Sequence, residues 1–89
     1  MSLIDDVITS IEADKQAAEE IAALIESGLQ QTEEVLGQLQ ALGVKLETHA
    51  LNAVKQTLEE CRTQCAALTQ QFVEAGSAAV AAKGGGRSS

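Results

Sequence analysis

The sequence predicts an all-α fold: an antiparallel two-helix hairpin, coiled-coil-like, that pairs into a four-helix bundle. Three observations predict it. Apolar residues recur every seven positions through both halves of the chain, the spacing that keeps one helix face turned toward a partner. Proline is absent, so neither half carries the residue that most strongly breaks a helix. A good stop signal, Gly43, stands near mid-chain, and the apolar phase slips there.

The first helix is predicted over about residues 3–42. Ser2 followed by Asp5 fits a capping box, and Asp5 and Asp6 suit the positive end of the helix dipole. One seven-residue stripe runs Ile4, Ile11, Ala18, Ile25, Thr32, Leu39, and a weaker one runs Val7, Asp14, Ile21, Gly28, Val35, Leu42. Ile8, Ala22, Leu29 and Leu36 widen the apolar face, and a face wider than two stripes suits a bundle better than a plain two-stranded coil.

The turn is predicted at 43–45. Gly43 tolerates the left-handed conformation that ends a helix, and Val44 would then fold back onto Leu39. Continuing the first helix's stripes would place seam positions at Leu46, His49, Ala53 and Gln56. The best stripes of the second half are instead Leu51, Leu58, Cys65, Phe72, Ala79 and Val54, Cys61, Leu68, Ala75. A phase slip at a glycine favours a turn over one continuous rod.

The second helix is predicted over about 46–82, with Thr48 as an alternative cap. Residues 1–83 thus form the hairpin. The Gly-Ser-rich stretch 84–89 offers nothing to bury and is predicted to be a disordered tail.

Composition limits what such a fold can do. Of the 89 residues 45% are apolar, but many are alanine and there is one phenylalanine. Alanine favours helix and buries little area, so the hairpin is expected to gain core by association. The net charge of −7 argues against nucleic acid and an anionic membrane surface, both of which need clustered cations. Up to Leu42 nine acids stand against Lys15, a sum of −8; from Gly43 on, four acids stand against five basic residues, a sum of +1. Two first halves repel; first against second do not. No basic-then-apolar leader opens the chain, and no run approaches a membrane span, so the expected compartment is the cytoplasm.

Few residues could carry chemistry. Cys61 and Cys65, at i and i+4, share a helix face. They read as small apolar core residues, as a thiol pair for redox or an interchain disulfide, or, with His49, as part of a zinc site short of ligands. His49 is the sole histidine and has no nucleophile or acid beside it in sequence. The acid pairs Asp5-Asp6, Glu19-Glu20, Glu33-Glu34 and Glu59-Glu60 are adjacent in sequence and diverge on a helix. No catalytic residue, cofactor or metal is therefore expected. The residues expected to form core and interface are Ile4, Ile11, Ile21, Ile25, Val35, Leu39, Leu51, Val54, Leu58, Cys61, Cys65, Leu68 and Phe72. A buried Phe72 replaced by Ala should cost about 3–5 kcal/mol.

Small size, acidic charge, the missing leader and a hairpin turning at Gly43 resemble the WXG100 (ESX) proteins of type VII secretion, and the Ala- and Gly-rich style resembles small helical proteins of high-GC actinobacteria. The first resemblance implies a helical hairpin pairing into a four-helix bundle, and export without a signal peptide as a secretion substrate or chaperone. Leu42 and Gly43 stand where that family has Trp-x-Gly, and the chain has no tyrosine for the family's C-terminal export signal, so no functional residue carries over. The expected function is a non-enzymatic helical interaction module whose partner is protein, either a second copy or another helix. A type VII-like export role and a thiol-linked, redox-responsive dimer stand beside it.

Overall fold

The computed structural model describes residues 2–88, which form two antiparallel helices, α1 (Leu3–Leu42) and α2 (Lys45–Ser88). The hairpin is a long, thin body with extents of 69 × 17 × 12 Å.

Each boundary has a local cause. The Ser2 hydroxyl accepts the Asp5 N–H at 3.2 Å and donates to the Asp5 carboxylate at 2.9 Å, which satisfies a free donor of the first turn. At the other end Gly43 takes φ 72, ψ 23. The Gly43 N–H donates to the Gln40 carbonyl and the Val44 N–H to the Leu39 carbonyl, both at 3.2 Å. These two bonds make a Schellman motif, which requires the left-handed residue that glycine supplies without steric cost. Thr48 is not the cap of α2. It lies inside the first turn, where its hydroxyl donates to the Val44 carbonyl at 2.6 Å.

At its far end α2 continues through Gly84–Gly86 to Ser88, past the boundary at about 82 that composition predicted. Glycine has no side chain to clash in a helix and no proline follows, so backbone hydrogen bonding carries the helix on. The predicted tail is thus helical as far as Ser88, and Ser89 lies outside the described residues.

The seam between the helices is narrow. In heptad notation its a and d positions are Ile4, Ile8, Ile11, Lys15, Ala18, Ala22, Ile25, Leu29, Thr32, Leu36 and Leu39 on α1. On α2 they are Val44, Thr48, Leu51, Lys55, Leu58, Arg62, Cys65, Thr69, Phe72, Gly76, Ala79 and Lys83. Only Ala18, Leu29, Thr32, Leu36, Cys65 and Ala79 are buried; Ile4, Ile11, Ile25, Leu39, Leu51, Leu58 and Phe72 are half-buried. Small residues set the closest packing, and the Cys65 thiol donates to the Ala18 carbonyl across the seam at 3.6 Å. The seam threonines need no partner on the other helix. Thr32 donates to the Gly28 carbonyl at 2.8 Å and Thr69 to the Cys65 carbonyl at 3.0 Å, each one turn back on its own helix.

The structure moves the second apolar stripe of each helix off the seam. The second seam row of α1 is Ile8, Lys15, Ala22, Leu29, Leu36, not Val7, Asp14, Ile21, Gly28, Val35, Leu42. On α2 it is Thr48, Lys55, Arg62, Thr69, Gly76, Lys83, not Val54, Cys61, Leu68, Ala75. Hydropathy hid these rows because four of their positions are cations. A long basic side chain lays its alkyl stem along the seam and carries its charge out to the edge.

Candidate functional site

The cations of the seam fix which side of the hairpin is polar. Arg62 reaches the Glu26 carboxylate at 3.2 Å and Lys55 reaches Glu33 at 3.7 Å, while Lys83 pairs with Asp5 and Lys15 with Glu12 of its own helix. Asp5, Glu12, Glu19, Glu26 and Glu33 stand seven residues apart. They occupy the e position of α1, the flank beside the a row. Both the Lys83 ammonium and the Ser2 hydroxyl hold the Asp5 carboxyl below its ordinary range, Lys83 the more strongly. Arg62 also lies 4.0 Å from Glu59, an e residue of α2, so the e rows of both helices share one flank.

Three shallow grooves mark the same flank. An open groove of about 500 Å³ is lined by Ile8, Glu12, Phe72, Val73, Gly76 and Val80, among others. A second, at the turn, includes Gln40, Val44, Thr48, His49 and Asn52. The third lies beside Glu33 and Lys55. His49 is exposed on the rim of the turn groove, whose other polar side chains are the amides of Gln40 and Asn52, the Thr48 hydroxyl and the Lys45 amine. Among the described residues no cluster of three or more histidine, cysteine or acidic side chains could hold a metal ion.

The opposite flank carries the g and c rows of both helices. On α1 these are Val7, Asp14, Ile21, Gly28, Val35, Leu42 and Leu3, Ser10, Ala17, Leu24, Gln31, Gln38. On α2 they are Glu47, Val54, Cys61, Leu68, Ala75, Ala82 and Ala50, Thr57, Gln64, Gln71, Ala78. Of the chain's 13 acids only Asp14 and Glu47 fall here, and none of its 6 basic residues does. The other acids all lie in the e and f rows. One broad side of the hairpin is therefore almost free of charge along its length.

That side is also apolar and open. Ile21 is 51% exposed, Val35 41%, Val54 47% and Leu68 42%; Val7, Leu24 and Leu42 are exposed as well. Ile21, Val35, Val54 and Leu68 thus lie outside the core, in rows that face away from the seam. Cys61 is half-buried in the same row, whereas Cys65 is buried in the seam. The sequence reading found these residues but not their separation into two surfaces. The acids at every seventh position from Asp5 to Glu33 were the available signal, because they mark the flank that faces water.

No helix among the described residues is long and apolar enough to cross a membrane. Comparison of the chain with protein-family models, with curated proteins and with solved structures finds no match.

Proposed function

We propose that the chain is a non-enzymatic helix-packing protein whose uncharged g/c face docks helices of another polypeptide, completing a four-helix bundle. The single observation behind this reading is the aligned exposure of Val7, Ile21, Leu24, Val35 and Leu42 beside Val54 and Leu68. Apolar surface this extended, rimmed by charge on the other flank, marks a contact surface in a water-exposed protein. The thin core points the same way. A two-helix layer leaves every seam residue open on one side, and a second layer would cover the face that now meets water.

The test is site-specific photo-crosslinking in the source cells. A photoreactive residue at Leu24, in the docking face, should give protein adducts; one at Gln16, an exposed b position, should not. Equal adduct yields at the two positions refute the reading.

A second reading has Cys61 as its support. It is the more accessible of the two thiols, and it sits in the docking row, where a thiol-linked pair of chains would join. Non-reducing electrophoresis of protein from cells tests it; a monomer band under oxidising conditions rejects it.

A further inference from the structure

We infer that the occupant of the uncharged face is a second copy of this chain, related by a two-fold axis parallel to the hairpin's length. Each α1 then lies over the α2 of the other copy, and both turns point the same way. This inference rests on the docking reading and names its partner.

Charge selects the pairing of helices. The segment up to Leu42 sums to −8 and the rest to +1. A two-fold axis lying across the face would set α1 directly on α1, −8 against −8. An axis along the hairpin puts the two α1 helices on a diagonal and seats each on a nearly neutral α2. The e-row acids point away from the face and are largely screened in either arrangement; the difference falls on Asp14 in the face and on Asp6, Glu20 and Glu34 at its outer edge, which the diagonal moves beyond the roughly 8–10 Å spacing of directly stacked helices. The acids themselves do not obstruct the contact, because the face holds only Asp14 and Glu47.

Symmetry then fixes the register. A two-fold axis parallel to the hairpin allows no sliding along it, so residues meet across the dimer at the levels they share within one hairpin. Those levels are set by Ala18 against Cys65, Gly28 against Leu58 and Gly76 against Ile11. They bring Val7 level with Ala78 of the second copy, Leu24 with Cys61 and Val35 with Ala50. In each case a large side chain of α1 meets a small one of α2, which interdigitating layers require. Asp14 comes level with Gln71, whose amide can donate to the carboxylate. At the levels of Leu68 and Val54 the order reverses, α2 supplying the larger aliphatic against Ala17 and Gln31, while Ile21 meets the alkyl stem of Gln64; the two-fold repeats every such pair on both sides.

The area suffices. A face outlined by 69 × 17 Å offers about 1,000 Å² per copy, against roughly 800 Å² per partner in a standard stable interface.

Two measurements on the full chain test the inference. Light scattering across a dilution series, with reductant present, should give twice the 9.3 kDa chain mass at high concentration. The double substitution Ile21→Glu with Val35→Glu should abolish the dimer while circular dichroism keeps its helical signal. Gln16→Glu, off the face, should leave the dimer intact. For geometry, a nitroxide at Ala41→Cys in a Cys61→Ser background reports the distance between turns. Parallel turns give about 15–35 Å, whereas opposed turns give more than about 50 Å.

A monomer at all concentrations, a mass above the dimer, a dimer that survives the face substitutions, or opposed turns each overturns the inference. A monomer that still gives Leu24-specific adducts with a different protein overturns the second copy as occupant and leaves the docking face standing. Loss of those adducts as well removes the docking reading itself.

Discussion

Replacing Gly28, Gly37 or Gly76 by alanine should stabilise the hairpin, and the three sites differ in an informative way. A methyl added at Gly28 would lie 3.9 Å from Leu58 Cδ1, and one at Gly76 would lie 3.6 Å from Ile11 Cγ2. Both are ordinary van der Waals separations, so no neighbour has to move. At Gly37 nothing lies within 4 Å, which makes that site a control for backbone propensity alone. Alanine gains about 0.8–1 kcal/mol over glycine within a helix. At Gly28 and Gly76 the new methyl also loses contact with water against an apolar side chain, adding up to about 0.5 kcal/mol, a little over half the value of a fully buried CH₂. The expected gains are about 1 kcal/mol at Gly37 and about 1–1.5 kcal/mol at Gly28 and Gly76. In a domain of this size each kcal/mol raises the melting temperature by about 4–8 °C.

Thermal unfolding followed by circular dichroism at one fixed, low concentration reads these gains directly. Low concentration matters for Gly28, which belongs to the g row and so to the proposed docking face. The refuting pattern is specific. If Gly37→Ala stabilises while Gly28→Ala or Gly76→Ala destabilises, the helices approach more closely than 3.6–3.9 Å from a Cβ allows, and those glycines are there for backbone contact. If Gly37→Ala has no effect, α1 is not a continuous helix through that position.

Gly43→Ala should cost about 1–2 kcal/mol, because φ 72 at that residue is the left-handed region; denaturant titration measures it. Phe72→Ala should cost about 2 kcal/mol, below the range for a buried phenylalanine, because the ring is half-buried at the groove floor; a loss near 4 kcal/mol would mean that the groove is closed in solution. Asp5 titrates below its ordinary value of 3.8, chiefly through Lys83. The Asp5–Lys83 contact therefore contributes its full share above that value and loses it as pH falls through the lowered one. Amide protection near residues 3–6, taken relative to the intrinsic exchange rate at each pH, should fall over that acid window in the wild type but not in Lys83→Met. Under native conditions iodoacetamide should modify Cys61 before Cys65, which is the more buried thiol; the proposed dimer further predicts that the rate at Cys61 rises on dilution.

Part of this architecture was legible in the residues. Gly43 could be read as the turn because one residue type supplies the left-handed conformation and the apolar phase changes at the same place. The rows Ile4 to Leu39 and Leu51 to Ala79 could be read because their spacing is regular and their members mostly apolar. The extent of α2 was less legible. Composition weighs Gly84–Gly86 as a breaker, whereas the helix there is limited only by conformational entropy, about 1 kcal/mol per glycine. The ion pairs of Arg62 with Glu26 and Lys55 with Glu33 join residues far apart in sequence. Their register follows from the turn position, which spacing along one helix does not encode.

The misplaced second stripe has a physical explanation that bears on function. A hydropathy reading takes each helix's two best apolar rows as its seam. In this chain the a row of α2 holds Lys55, Arg62 and Lys83, while the g row holds Val54, Cys61 and Leu68. A chain that only needed to close its hairpin would gain nothing from the g row's aliphatic residues, which remain about 40–50% exposed at Val7, Ile21, Val35, Val54 and Leu68. Most of the exposed aliphatics at seven-residue spacing gather on that one flank, Val73 and Val80 being the pair exposed on the other, beside the groove at Phe72, and the larger set has the pattern of a second seam. The charges sort accordingly. Cations at a reach the acids at e and make that flank polar, apart from the open groove beside Phe72, Val73 and Val80, and all acids but Asp14 and Glu47 are kept off g and c. A polar group at an a position is a known device for fixing helix register and orientation at some cost in stability. Here it also aims the hairpin, so that only one broad face remains for a further layer. Replacing Lys55 and Arg62 by Leu should therefore stabilise the single hairpin yet weaken the choice of face, giving aggregates of mixed order in light scattering. A uniform dimer from that variant would show that the g and c rows alone direct assembly.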